Sequence, residues 1–332
     1  MKVLVTGGGG FLGSAIVRQL CDRGDAVHTL SRSDYPKLRE LGVITFQADL
    51  SNRAGLAEAA TGCDAVIHTA AKTGVWGNRH DYERANIDGT HNVIRICGDL
   101  NIRRLVYTSS PSVVFDGHDE EGIDETTPYP AHYLADYPRT KAIAEKAILA
   151  ANRKALATVS LRPHLIWGPD DPNLVPRVLA RAKAGKLKLV GNGENRVDCT
   201  YIDNAAAAHL NALDKLHPEA ACAGKAYFIS NGEPMAMKDL LNRILASGNQ
   251  PPVNRQVSPG IAYGAGLILE WIHRVLIPST EPIMTRFVAR QLATSHWFNL
   301  DAARCDLGYD PAISLAEGFK RLGESLQSGS DR

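Results

Sequence analysis

Tyr137 and Lys141 lie four residues apart in the run Tyr137-Pro138-Arg139-Thr140-Lys141. On a helix that spacing puts a phenol and an ammonium on one face, and Pro138 is tolerated because it falls in the first turn. A phenol with an ordinary pKa of about 10 is a poor base near neutrality. A neighbouring cation stabilises the phenolate, and a shift of roughly 3 units needs about 4 kcal/mol. Such a pair can move a proton to or from an oxygen held beside it. Thr108-Ser109-Ser110 ends a strand-like run, and a hydroxyl at a strand end can hydrogen-bond a carbonyl oxygen. Side chains alternate there, so one of Ser109 and Ser110 faces a cleft, and Ser110 is the preferred one. Tyr129 and Tyr133 have no lysine four residues on and read as loop or pocket residues.

A second chemical feature stands at the amino terminus, where Gly7, Gly10 and Gly13 punctuate Thr6-Gly7-Gly8-Gly9-Gly10-Phe11-Leu12-Gly13. The loop follows a strand and opens a helix, so its glycines let the backbone turn tightly and approach a pyrophosphate at the helix amino terminus, with Phe11 and Leu12 in the contact. The pattern is GxxGxxG and not the GxGxxG of the standard dinucleotide fingerprint. After the second strand, where an NAD-preferring fold places an acid, the sequence is Leu30-Ser31-Arg32-Ser33. An arginine there can pair with a 2′-phosphate, so Ser31 and Arg32 predict NADPH/NADP+. Asp49-Leu50 after the third strand is placed either to hold the adenine edge or to cap the next helix.

These groups need a scaffold that brings strand ends together, and the chain length supplies one. With 332 residues, 44% hydrophobic and 22% charged, it can bury a core as about two units. A net charge of +1 and no basic tail exclude a nucleic-acid partner. Six scattered cysteines without a CxxC pair or metal-type cluster, and no charged apolar leader, predict a reduced cytoplasmic protein without a metal. No run of 18 apolar residues is free of charge, against a membrane span.

Residues 2–6, 26–30, 43–47, 65–68, 104–108 and 157–161 read as strands, and stretches near 12–22, 53–60, 80–100 and 138–152 as helices. Alternation of this kind predicts an α/β fold: a Rossmann-type doubly wound parallel sheet of at least six strands, with a smaller discontinuous carboxyl-terminal substrate domain. Residues 1–168 form the dinucleotide-binding domain and 199–230 return to it, its last strand at 226–230. The substrate domain takes 169–198 and 231–332. The helix near 82–100 buries Tyr82, Gly89, Val93, Cys97 and Leu100 at helical spacing, with Asn86 on the same face. A buried amide needs partners. Asn86 either braces the strand ends or adds a water relay from Lys141.

TGxxGxxG, the missing acid, TSS, YxxxK and RPHLIWGP together resemble the extended short-chain dehydrogenase/reductase superfamily, in its 3β-hydroxysteroid dehydrogenase-like branch. The match covers nearly the whole chain. Within that branch HTAAKTGVWG, YTSSPSV, TKAIAE, DCTYIDNAA and GKAYFISNGEP are similar to bacterial reductases of 2-alkyl-3-oxoalkanoic acids in long-chain olefin biosynthesis. The resemblance implies that Tyr137 is the acid/base, that Lys141 lowers its pKa and binds the ribose, that Ser110 orients the carbonyl and that Asn86 supports the relay. It also implies that Ala70, Ala71, Pro163 and His164 lie against the cofactor, the last two beside the nicotinamide. Rival readings are a steroid dehydrogenase or sterol decarboxylase, a sugar-nucleotide epimerase, which Arg32 disfavours, and a non-catalytic NADP-sensing protein.

Two surfaces concern partners. Gly260 to Ile277 carries apolar residues around a narrow polar stripe of Glu270, His273 and Arg274 and reads as an amphipathic helix. It is a core helix, or it covers a greasy pocket, lies on the inner face of the membrane, or docks a partner. The resemblance favours docking to a condensing enzyme and a β-lactone-forming enzyme. Ile143, Ala147 and Ala150 on the Tyr137 helix predict a homodimer.

Overall fold

The computed structural model describes residues 1–277 and 280–330, with side chains to Ser328. Pro278, Ser279, Asp331 and Arg332, inside the span assigned to the substrate domain, lie outside the described residues. Seven strands form the main sheet: β1 (Lys2–Thr6), β2 (Ala26–Ser31), β3 (Ile44–Gln47), β4 (Ala65–His68), β5 (Arg104–Thr108), β6 (Ala157–Pro163) and β7 (Ala226–Ile229). All neighbours are parallel, in the order β7-β6-β5-β4-β1-β2-β3. The order reverses between β1 and β4, so a crevice opens at their carboxyl ends.

Alternation along the strands splits the core in two. Val3, Val5, Ile67 and Val106 pack on one face with α1 (Phe11–Asp22), while Leu4, Val66 and Leu105 pack on the other with α2 (Arg53–Ala60). The stretch expected as one helix over 80–100 is three pieces: Arg79–Tyr82, a π-helical turn Glu83–Asp88, and α3 (Gly89–Asp99). Tyr82, Gly89, Val93 and Cys97 are buried as expected, but Leu100 has left the helix at its carboxyl cap and is 37% exposed. The helix bearing the tyrosine and lysine, α4 (Asp136–Ala150), starts two residues before Pro138. Its outer Ile143 and Ala150 are exposed and Ala147 half-exposed. After it, α5 (Ile202–Lys215) packs against α1 and leads into β7.

One buried ion pair fixes α4 to the sheet. Glu145 accepts from Arg162 Nη2 at 2.7 Å, from Ser160 Oγ at 2.9 Å and from Tyr129 Oη at 2.6 Å. Its side chain is 0% exposed and that of Arg162 3%.

The later segments build a small sheet in which Met235–Ala236, Arg196–Val197 and His296–Phe298 are joined by Glu120–Ile123 from the first half of the chain. Beside it lies α6 (Pro259–Val275). Its inward stripe is Ala262, Gly266 and Glu270. A Cβ on Gly266 would come within 2.7 Å of the Thr285 carbonyl carbon, so the following helix can approach only because that position is glycine. Glu270 accepts from Arg286 N at 2.7 Å and Arg286 Nε at 2.8 Å. Ile261, Leu267, Ile268, Trp271, Val275 and Leu276 are 50–68% exposed. The core-helix alternative is thereby overturned: the small and acidic residues face the protein and the large apolar ones face out.

Replacing Glu145 by Gln keeps the volume but leaves the Arg162 guanidinium buried without its counter-charge. We expect a loss of about 3 to 5 kcal/mol, read as a lower urea midpoint; an unchanged midpoint would show that the pair does not hold α4.

Candidate functional site

The glycine loop sits at the crevice. Gly7 has φ +73°, and its carbonyl accepts from Gly10 N at 2.9 Å. A Cβ on Gly13 would lie 2.1 Å from that carbonyl, so only glycine lets α1 press this closely on the loop. Gly10 caps α1 without a side chain, so the first N–H groups of the helix stay available to an anion. This cradle fits a pyrophosphate. The loop borders a cleft of about 640 Å³ that runs along the strand ends.

At one end of the cleft are Gly7, Gly10, Phe11, Leu12 and Gly13, with Ser31 at the end of β2, Arg32 after it, and Asp49 and Leu50 after β3. Gly9 N donates to Ser31 Oγ at 3.2 Å. Asp49 does not cap α2, a task taken by Asn52, which accepts from Gly55 N. Asp49 instead accepts from Ser51 N and Oγ, and those bonds hold its carboxyl below the ordinary range, with Arg84 and Arg32 adding to the effect. Ala70 and Ala71 line the middle.

At the other end the cleft is lined by Ser110, Tyr137, Lys141 and Pro163. Ser110 faces the Tyr137 hydroxyl and lowers its pKa, and its own Oγ shares a hydrogen bond with Ser112 Oγ at 2.9 Å. Ser109 is buried. Lys141 Nζ donates to Thr108 O at 2.5 Å and lies 4.1 Å from the centroid of the Tyr107 ring. Burial pulls its pKa down to about 7, against the charge of Glu145. The expected fall in the Tyr137 pKa is not produced by the protein's own groups: burial raises it, and Ser110 opposes that rise only in part. The phenol is therefore protonated at neutral pH, as a proton donor requires.

Asn86 is buried and fully engaged. Its Oδ1 accepts from Lys72 N at 2.7 Å, and its Nδ2 donates to Lys72 O at 3.1 Å and to Thr140 Oγ1 at 3.0 Å. These bonds are those of a brace between the segment after β4 and α4. Of the pair expected beside the nicotinamide, Pro163 lines the cleft, while the His164 ring packs against His296 and Phe298 with Nδ1 2.7 Å from Asp198 O. Tyr129 and Tyr133 are loop residues, bonded to Glu145 and to Val113 O. Sequence reasoning missed Lys72 and Thr73 as cleft residues. Their position directly after Ala70-Ala71, past the end of β4, is the signal that could have found them.

The sequence profile of the 3-beta hydroxysteroid dehydrogenase/isomerase family matches residues 4–255. A 2-alkyl-3-oxoalkanoate reductase of Shewanella oneidensis is 52% identical over 97% of this chain and 85% of its own. Another, from Stenotrophomonas maltophilia, is 51% identical over 97% of this chain and 98% of its own. The mouse decarboxylating sterol-4-alpha-carboxylate 3-dehydrogenase is 34% identical over 98% and 91%. In fold, the chain is similar to a dTDP-glucose 4,6-dehydratase double mutant from Streptomyces venezuelae solved with NAD bound, at a TM-score of 0.77, 23% identity and coverage of 100% and 98%.

Because the folded pKa of Lys141, about 7, lies below the value of about 10.4 in an unfolded chain, the unfolded state binds more protons between those limits. Stability then rises with pH across that window, and the penalty is complete below it. The wild type should gain on Lys141→Met as pH is raised from about 7 to 10, measured as the difference between urea midpoints. A difference that does not change with pH would mean that Lys141 is charged throughout.

Proposed function

Since the chain belongs to the 3-beta hydroxysteroid dehydrogenase/isomerase family, an oxidoreductase family of the short-chain dehydrogenase/reductase type, we propose that it reduces a 2-alkyl-3-oxoalkanoic acid to the 2-alkyl-3-hydroxy acid. The observation that carries this reading is the geometry of Tyr137, which shares the cleft with Ser110 and stands one helical turn from Lys141, at the strand ends of a dinucleotide crevice. Two relatives sharing about half of its residues carry that activity in their names.

The residues divide the work. Ser110 donates to the ketone oxygen and places it beside Tyr137, whose phenol gives that oxygen its proton. The nascent phenolate lies on the same helix face as the Lys141 ammonium, whose charge it favours in turn. A bound nicotinamide cofactor supplies the hydride. Arg32 supports a preference for the phosphorylated form, because its exposed guanidinium stands where an acid would contact an unphosphorylated ribose.

The test runs in reverse, because β-keto acids lose carbon dioxide. Synthetic 2-alkyl-3-hydroxy acids should reduce NADP+ faster than NAD+, Arg32→Ala should narrow that preference about tenfold or more, and Tyr137→Phe should lower turnover at least about a hundredfold. Oxidation of a 3-hydroxysteroid but not of these acids would move the chain to the sterol reading.

The outward face of α6 supports a second element of this reading, contact with an anionic lipid surface. Among the described residues no helix is long and apolar enough to cross a membrane. The segment 174–190 carries Arg177, Arg181, Lys183, Lys186 and Lys188 and no acid. It flanks α6 at both ends: Val190 packs with Ala262, and Arg181 donates to Ile283 O beyond the helix. An apolar face with Trp271 bordered by lysines and arginines is the pattern of interfacial helices. The protein should co-sediment with vesicles containing phosphatidylglycerol, less so in high salt, and Ile268→Asp should abolish this. Failure to sediment overturns the reading, and capture of the condensing or β-lactone-forming enzyme instead assigns the face to a partner.

A further inference from the structure

We propose that Lys72 binds the carboxylate of the substrate, an inference that rests on the keto-acid reading above. In a 2-alkyl-3-oxo acid a single carbon separates the carboxylate from the reacting carbonyl. Once Tyr137 and Ser110 hold the ketone oxygen, the carboxylate must lie close beside them, and binding in the cleft strips it of part of its hydration. An anion there requires a cation or hydrogen-bond donors.

Among the described residues the cleft is lined by three cations, Arg32, Lys72 and Lys141. Arg32 follows β2 at the far end from Tyr137. Lys141 is committed to Thr108 O and the Tyr107 ring. Lys72 has no comparable commitment. Its ammonium lies 5.2 Å over the Tyr82 ring and 3.8 Å from Asp81 Oδ2, and the side chains are 32% and 44% exposed. A pair that long and that exposed is weak, so an incoming carboxylate can displace Asp81. Of the two acids that line the cleft, Asp49 follows β3, and Asp171 does not compete, because its oxygens accept from the N–H groups of Asn173, Leu174 and Val175.

The backbone of Lys72 is held while its side chain is not. Asn86 grips both its N–H and its carbonyl and also bonds Thr140, which lies between Tyr137 and Lys141. The point on the cleft wall from which the Lys72 side chain departs is thus fixed relative to the proton donor. Asn86 is a positioning residue in this arrangement, and the π-helical turn Glu83–Asp88 is the segment that presents it.

The test compares a 2-alkyl-3-hydroxy acid with its methyl ester, both oxidised with NADP+. In Lys72→Met the acid-to-ester ratio of kcat/KM should fall about tenfold to a hundredfold, carried by KM for the acid. Lys72→Arg should restore part of it, and NADP+ affinity, read by quenching of intrinsic fluorescence, should not move. An unchanged ratio overturns the assignment. So does an equal loss of NADP+ affinity, which would give Lys72 to the cofactor phosphates. A wild type that oxidises neither compound overturns the keto-acid reading itself, and the Lys72 assignment with it.

Discussion

An ammonium placed under the end of a parallel sheet loses its hydration, and the loss must be offset by charges and dipoles of the protein. Lys141 meets this with a sheet-end carbonyl, the face of Tyr107 and, one turn along α4, the carboxylate of Glu145. Glu145 could not itself be buried alone, and Arg162 on β6 neutralises it. The result is a line of charge, Lys141 to Glu145 to Arg162, that runs from the cleft into the core. It sets the rotation of α4, and therefore where the Tyr137 hydroxyl points. The compensation is partial, which leaves the lysine with a pKa of about 7, while burial raises that of the Tyr137 phenol.

The cleft owes its other walls to close backbone approach. Gly7 and Gly13 bring the start of α1 against the loop, and the switch between β1 and β4 leaves room for a ligand across the strand ends. The segment after β4 is fixed by Asn86 from a π-helical turn, an irregularity of the sort that often accompanies a functional constraint. Through Thr140 the same amide reaches α4, so the two walls of the cleft are coupled by one buried side chain.

Beyond the cleft, α6 inverts the usual arrangement of a surface helix. Its small and acidic stripe packs inward because Gly266 admits the backbone at Thr285 and Glu270 bonds Arg286. Its large apolar residues are left outside. The polar edge of the same helix meets the segment that carries Lys72, with Arg274 over the Trp76 ring and His273 edge-on to it. The exposed apolar face is thus joined to the rim of the cleft.

Much of this was legible in the chain alone, where geometry is set by spacing within one element. Gly7, Gly10 and Gly13 announce the phosphate loop, Tyr137 and Lys141 share a helix face at any four-residue spacing, and the apolar runs 2–6, 65–68 and 104–108 can only be strands buried on both sides. What the sequence left open are orientations between elements. Whether Ser109 or Ser110 reaches Tyr137, that the His164 ring packs against His296, that Asn86 grips Lys72, and that α6 shows its apolar side to the outside all depend on partners far along the chain. Local periodicity fixes which side chains lie together on a helix or strand. Only packing against distant segments decides which way that face turns, because the free energy that selects it comes from contacts no local pattern contains.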